Sequence, residues 1–303
     1  MTVAVHPIAA PWGRFHLYSF LIDAPELALV DTGVTASAVG VPAELERLGR
    51  RVEDVRWILL THGHIDHVGG AYALWEATGR RAQVVIGADD AVFVRSRRAH
   101  VDEALALRGD LVGREALEEA KTAEAAEAIS GEFEPTRLVR GGDTLDLGGV
   151  TVDVHAVPGH TAGAVAYSVD GHVFAGDAVQ CFGAASGFPG YEDPDTYRSS
   201  LERLRALRPD HLYLGHPYRR ADGSAFPVAL DAADADEALA GSLAREARIR
   251  AAVQEHPAAA SDSVYSPYAA VAASLDYSGD PTLEPSPFFT TMRGYAAAHT
   301  GAS

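Results

Sequence analysis

The stretch from residue 61 to 67 reads Thr61-His62-Gly63-His64-Ile65-Asp66-His67 and places three histidines and one aspartate within six positions. Before it, Trp57-Ile58-Leu59-Leu60 is a short apolar run, typical of a strand buried on both faces. After it, a Gly-Gly pair and apolar residues at helical spacing predict a helix over 70–78. Four side chains able to bind a metal ion thus lie on a strand-to-helix turn. Imidazole and carboxylate suit zinc, manganese or iron(II), and the absence of thiolate argues against a structural zinc site.

Three further residues of the same chemical kind come directly after predicted strands, and they are His160, Asp177 and His216. A glycine before Asp177 permits a close approach of the backbone. With the first cluster, these residues make seven candidate ligands at the ends of four strands. We therefore predict that the seven side chains meet at one edge of a sheet, as an α/β active site requires.

The order H-x-H-x-D-H, followed by His, Asp and His, resembles the ligand set of the metallo-β-lactamase superfamily of dinuclear metallohydrolases. The resemblance covers roughly residues 15–220. It implies an α/β protein with the four-layer αββα metallo-β-lactamase fold. It also implies two divalent metal ions, with zinc favoured and iron or manganese as alternatives. The match assigns the first ion to His62, His64 and His160, the second ion to Asp66, His67 and His216, and the bridging carboxylate to Asp177.

Asp31, in the sequence Asp31-Thr32-Gly33, is a further candidate at the site. It resembles an aspartate of the superfamily that supports the metal site through hydrogen bonds. The alternative is a turn-forming aspartate ahead of glycine.

The resemblance implies hydrolysis of a small ester, lactone or thioester by a hydroxide that bridges two metal ions. Asp66 could then carry a proton to the leaving group. Asp177 argues against β-lactamase activity, because the β-lactamases of this superfamily do not use such a bridging aspartate. An iron-dependent redox enzyme of the same fold, similar to a dioxygenase, is an alternative, and a phosphodiesterase is a weaker one.

The substrate is less well defined by the sequence. Many lactonases of the superfamily carry a tyrosine shortly after the bridging aspartate, and residues 178–182 contain none. Candidates to replace it in substrate binding are Tyr191, Tyr197 and Tyr218. Glyoxalase II-like thioesterases hold glutathione with basic residues late in the chain. The nearest basic pair here is Arg219-Arg220, for which a charged surface turn is the simpler interpretation.

Composition narrows the choice of partners and compartment. A formal net charge of -17 over 303 residues disfavours nucleic acid and anionic membrane surfaces, since both need a basic footprint. The single cysteine, Cys181, cannot form an internal disulfide. The sequence has neither a signal-peptide pattern nor 18 consecutive apolar residues. We therefore expect a cytoplasmic enzyme with a small-molecule substrate, possible homodimerisation, and no nucleic-acid or membrane partner.

Two segments lie outside the motif-bearing strands. Residues 88–130 have helical composition and are predicted to form an insertion of two or three helices in a catalytic domain over 1–222. Residues 223–303 are predicted to form a C-terminal extension, with helices, that packs on the same domain. Either segment could cover the substrate pocket. The insertion could instead pack on the outside, and the extension could mediate dimerisation.

Overall fold

The computed structural model describes residues 3–13, 16–112, 115–181, 188–281 and 287–300. In these residues the strands form two six-stranded sheets. The first sheet contains, in spatial order, β1 (Ala4–Ala9), β2 (Tyr18–Asp23), β3 (Leu27–Val30), β4 (Val55–Leu59), β5 (Gln83–Gly87) and β6 (Arg137–Val139). Strands β1 to β3 are antiparallel neighbours, and β3 to β6 run parallel.

The second sheet also has six strands, but their relative directions differ from those in the first sheet. Its strands are, in spatial order, β7 (Thr144–Asp146), β8 (Thr151–Ala156), β9 (Val165–Val169), β10 (His172–Gly176), β11 (His211–Leu214) and β12 (Ala229–Asp231). All neighbours are antiparallel except β10 and β11, which are parallel.

The two sheets pack face to face through an apolar layer. Phe20 of the first sheet has its ring centroid 5.7 Å from that of Phe174 and 5.1 Å from that of Tyr213, both in the second sheet. On β4 the side chains of Trp57 and Leu59 face this layer, whereas Ile58 packs among helices on the other side. Strand β4 is therefore buried on both faces, as its continuous apolar sequence predicts.

Helices cover the outer faces of both sheets. The first sheet is covered by α1 (Thr35–Arg47), α2 (Ile65–Val68) and α3 (Ala71–Ala77). The insertion contributes α4 (Ala91–Arg95), α5 (Arg97–Ala104), α6 (Asp110–Val112) and α7 (Glu115–Ala126). The second sheet packs against α8 (Pro194–Leu207), α9 (Ala232–Glu255), α10 (Ala269–Ser274) and α11 (Pro287–Thr300). The layers thus follow the predicted order αββα.

Two helical regions have features that local sequence does not predict. Helix α1 begins at Thr35 and continues through Pro42. Ala38, Val41 and Leu45 are buried on one face of α1, so packing on the sheet extends the helix through a proline that usually marks a start. In its described residues the insertion contains four helices instead of two or three, with one π-helical turn at residues 105–109.

None of the helices in the described part of the chain combines the length and the apolarity needed to cross a membrane.

Candidate metal centre

Four loops, each following the carboxyl end of a strand, bring the seven candidate ligands together. The loop after β4 supplies His62, His64, Asp66 and His67, and the loops after β8, β10 and β11 supply His160, Asp177 and His216. Strand β4 belongs to the first sheet and the other three strands to the second. The prediction of a single sheet edge is therefore wrong. The ligands meet between the ends of two packed sheets, where the amide of Val165 donates to the carbonyl of Thr61 at 2.8 Å.

The first group of ligands consists of three histidines. His62 Nε2 lies 3.2 Å from His64 Nδ1 and 3.2 Å from His160 Nε2. Burial, reinforced by the neighbouring imidazoles, keeps the pKa of His62 well below its usual value. Burial and His160 have the same effect on the pKa of His64. The rings are therefore neutral, and their nitrogen lone pairs converge as a metal ion requires.

The second group combines two histidines and a carboxylate. His216 Nε2 lies 3.3 Å from Asp66 Oδ2, and potential ligand atoms of Asp66, His67 and His216 all lie within 4.8 Å of one another. Asp177 stands between the two groups. One of its oxygens, Oδ2, lies 3.2 Å from His216 Nε2 and 3.9 Å from His160 Nε2. This is the placement that a carboxylate shared by two metal ions would need.

Two buried polar atoms indicate that the site is shaped for cations. His67 Nε2 and Asp177 Oδ1 lie 3.6 Å apart, and neither has a hydrogen-bond partner among the described residues. A buried polar atom without a partner costs roughly 1–3 kcal/mol. A divalent ion would bind both atoms, and the nitrogen and oxygen donors match the preferences of zinc, iron(II) and manganese. The residues present therefore fit a metal centre.

The carboxylates create a strongly negative site. Burial disfavours a charged ring at His67, but Asp31, Asp66 and Asp177 together raise its pKa to about 9. The pKa of His216 is also raised, against the effect of burial, mainly by Asp177. Protons on these two histidines would compensate carboxylate charge in the metal-free protein, so metal binding must displace them.

Asp31 lies directly behind His67. Its Oδ2 accepts a hydrogen bond from His67 Nδ1 at 2.8 Å, and its Oδ1 accepts one from the amide of Thr61 at 2.8 Å. The Thr61 hydroxyl also donates to Oδ2. With Nδ1 acting as donor, the lone pair of His67 is on Nε2, which faces the centre.

Two glycines are required by close packing around the ligands. A Cβ atom on Gly215 would lie 2.5 Å from His67 Cε1 and 2.7 Å from Asp177 Oδ1. A Cβ atom on Gly176 would lie 2.3 Å from the Thr61 hydroxyl oxygen, and Gly176 has a φ of 49°. A larger residue at Gly215 would displace two candidate ligands, and one at Gly176 would displace Thr61, whose hydroxyl donates to Asp31.

Asp90 is a supporting residue that lies outside the sequence motifs. Its fully buried carboxylate accepts hydrogen bonds from the Gly63 amide at 2.7 Å, the Thr161 hydroxyl at 2.6 Å and the Gly163 amide at 2.6 Å. Asp90 thereby joins the loop of His62 and His64 to the loop of His160. Its position shortly after β5, at the same end as the ligands, is a signal that could have identified it.

The predicted substrate-binding tyrosines have different surroundings. Tyr218 is buried next to the centre, with its ring centroid 6.0 Å from that of His216, and burial together with Asp177 holds its pKa well above the ordinary value. Tyr191 is fully buried, stacks on Tyr197 with a centroid distance of 4.4 Å, and has its hydroxyl 3.1 Å from that of Tyr295. The structure thus gives Tyr191 a packing role in place of the expected substrate contact.

The basic pair after His216 is held by the chain itself. Arg220 bonds to Asp234 at 2.7 Å and to Glu237, and its guanidinium lies over the ring of Phe226. Arg219 donates to a backbone carbonyl four residues away. These contacts match the simpler interpretation, a charged surface turn.

Comparison with known proteins identifies the family. A sequence model of the metallo-β-lactamase superfamily matches residues 12–216. The chain belongs to this superfamily. Among curated members, the hydroxyacylglutathione hydrolases of Brucella ovis and Brucella abortus are each 33% identical to it over 238 residues, covering 77% of this chain and 74% of theirs.

Solved structures of the superfamily have the same fold. A metallo-β-lactamase family protein from Thermus thermophilus aligns with a TM-score of 0.65 at 23% identity, covering 90% of this chain and 93% of that protein. An archaeal superfamily protein from Sulfolobus tokodaii aligns with a TM-score of 0.55 at 21% identity, covering 78% and 85%. The predicted fold and family are therefore confirmed. With its curated relatives, the superfamily also identifies the chain as a hydrolase from a metal-dependent family.

Proposed function

We propose that this superfamily member is a dinuclear metal-dependent hydrolase that cleaves a small thioester, with esters and lactones as further substrates. The observation that carries the proposal is the convergence of seven donor residues in two groups with Asp177 between them. The hydroxyacylglutathione hydrolases among the relatives support a thioester as the bond attacked.

Two divalent metal ions would polarise the substrate carbonyl and lower the pKa of a water molecule. Side chains of the protein would orient the candidate ligands and transfer protons during the reaction. Asp66 would accept a proton released in the reaction and pass it to the leaving sulfur, and the 3.3 Å contact of its Oδ2 with His216 supports this role. Burial and the charge of Asp177 raise the pKa of Tyr218, so its phenol stays protonated beside this carboxylate. Asp31 keeps the Nε2 lone pair of His67 directed at the centre.

The proposal includes a small-molecule substrate and a cytoplasmic location. The formal net charge of -17 is unfavourable for binding nucleic acid. The only cysteine, Cys181, is buried, and burial raises its pKa to about 11, which suits an inert thiol in a reducing compartment.

The proposal is tested by measuring metal content together with hydrolysis of a substrate panel. We expect about two metal ions per chain and faster hydrolysis of hydroxyacyl thioesters than of lactones, esters or bis-aryl phosphodiesters. Asp177→Ala should abolish this activity and reduce metal content. Asp153→Ala, which removes an exposed carboxylate on β8, is the matched control and should behave as the wild type. Bound iron with oxygen consumption and no hydrolysis would instead establish the redox alternative.

A further inference from the structure

Helix α11 makes a specific contact with the loop before α8. The fully buried hydroxyl of Thr291 donates to the carbonyl of Pro189 at 2.7 Å and accepts from the amide of Tyr191 at 3.2 Å. One side chain on α11 thus fixes the backbone on both sides of Gly190. Thr291 is 100 or more residues away in sequence from each of these partners.

The peptide group between these two contacts is the hydrogen-bond acceptor for a candidate metal ligand. The carbonyl of Gly190 accepts from His160 Nδ1 at 2.6 Å. This bond places the proton on Nδ1 and leaves the lone pair on Nε2, which faces His62 Nε2 at 3.2 Å. The direction of the His160 ring therefore depends on where the Gly190 carbonyl is held.

Gln180 completes the frame around this carbonyl. Its Oε1 accepts from the Gly190 amide at 2.8 Å, and its Nε2 donates to the carbonyls of Asp177 at 2.7 Å and Gly190 at 3.0 Å. Nε2 also lies 2.7 Å from His160 Nδ1. Both hydrogens of this amide group are directed to carbonyl oxygens, so Gln180 does not donate to His160 Nδ1. Nδ1 therefore carries the proton that is donated to Gly190.

A second contact presses α11 against the same loop. A Cβ atom at Gly294 would lie 2.4 Å from the carbonyl oxygen of Glu192, so the helix backbone approaches the loop as closely as glycine allows. Nearby, the hydroxyl of Tyr295 lies 3.1 Å from that of Tyr191 and donates to the fully buried Glu246 at 2.9 Å. The helix and the loop therefore pack as one unit.

We propose that Thr291 is a positioning residue of the metal centre, which acts through the Gly190 carbonyl to orient His160. The C-terminal extension is then part of the coordination apparatus as well as a packing layer. The inference rests on the proposed metal-dependent function and adds to it a dependence of one ion, the one held by His62, His64 and His160, on α11.

The test compares three variants on α11 in the full chain. Thr291→Val removes the hydroxyl at nearly constant volume, and Thr291→Ser retains it. Thr290→Val is the matched control, because the Thr290 hydroxyl is in the same helix and contacts Arg108 instead of the 189–191 segment. Affinity for zinc is measured by chelator competition on metal-free protein, and thermal unfolding checks that each variant is folded.

Thr291→Val should weaken binding of one of the two zinc ions by about tenfold, the lower end of the range for residues that support metal ligands. Thr291→Ser and Thr290→Val should retain wild-type affinity for both ions. In the metal-free protein, the ¹⁵N resonance of His160 Nδ1 should lose its hydrogen-bonded, protonated character in Thr291→Val only. A purely structural role would lower thermal stability without this selective change.

Unchanged zinc binding and an unchanged His160 resonance in Thr291→Val would overturn the inference and leave the proposed function intact. Equal weakening of both ions, or an equal effect of Thr290→Val, would also overturn it. Absence of zinc binding by the wild type would overturn the proposed function and the inference together.

Discussion

Replacing Asp31 by asparagine tests how the charge and hydrogen bonding of this residue affect metal binding, because the two side chains have nearly the same shape. The backbone at Asp31 is in the left-handed region, with a φ of 54°, which asparagine adopts as readily as aspartate. The variant therefore removes a charge and one acceptor without adding backbone strain. Asparagine can still accept from the Thr61 amide, but its NH₂ group then faces His67 Nδ1 at the 2.8 Å contact.

The consequence for His67 follows from hydrogen-bond polarity. Nδ1 must become an acceptor, so the ring proton moves to Nε2, the atom that faces Asp177. A protonated nitrogen cannot bind a metal ion, and we expect the affinity of the second ion to fall by about 100-fold. This corresponds to about 2.8 kcal/mol at 25 °C.

The loss should be measured by chelator competition for zinc, with thioester hydrolysis at saturating zinc as a second readout. Asp23→Asn is the control, since Asp23 pairs with Arg50 at 2.7 Å outside the centre, and it should bind zinc as the wild type does. A folded Asp31→Asn protein with wild-type affinity for both ions would refute the reasoning.

The same variant has a predicted pH dependence in the metal-free protein. The folded-state pKa of His67, about 9, exceeds its ordinary value of 6.5. The stabilisation from protonated His67 is therefore fully present below pH 6.5 and lost as the pH rises through 9. The rise corresponds to about 3 kcal/mol, shared among three carboxylates. Urea unfolding in a chelator should show Asp31→Asn destabilised by about 1 kcal/mol or more at pH 6 and by less at pH 10.

Three further predictions concern packing and buried titratable groups. Gly215→Ala forces a Cβ to 2.5 Å from His67 Cε1 and should abolish tight zinc binding. Gly241 in α9 has open space around it, so Gly241→Ala should raise the free energy of unfolding in urea by about 0.5–1 kcal/mol. Burial lowers the pKa of His100 to about 4, so the wild type should lose up to about 3 kcal/mol between pH 6.5 and 4, and His100→Gln should lose less. Burial, together with the carboxyl group of Glu103, raises the pKa of Glu192. Ionisation of Glu192 therefore destabilises the folded protein, and Glu192→Gln should become more stable relative to the wild type in urea unfolding as the pH increases.

The sequence identified side chains that converge in the structure, because their signal is local. His160, Asp177 and His216 each follow an apolar run within a few residues, and the ends of such runs are where α/β proteins place functional groups. The layer order was implied by the resemblance to the superfamily, and β4 agrees with it, because a strand that is apolar at successive positions must be covered on both sides.

Features that depend on distant parts of the chain were not predictable in this way. The junction of two sheets at the centre depends on how β4 packs relative to β10, which no local pattern encodes. The burial of Tyr191 depends on α11, about a hundred residues later. Thr291 carries no motif, because its role comes from two backbone groups that it meets only in the folded protein.

The contact between α11 and the Gly190 loop also sets an order of assembly. Ribosomes make proteins from the N-terminus, so all seven candidate ligands emerge before Thr291 does. On the proposed function, a nascent chain that captures an ion would hold it with His160 not yet oriented. His160 would then reach its final orientation only after translation has passed α11 and this helix has docked.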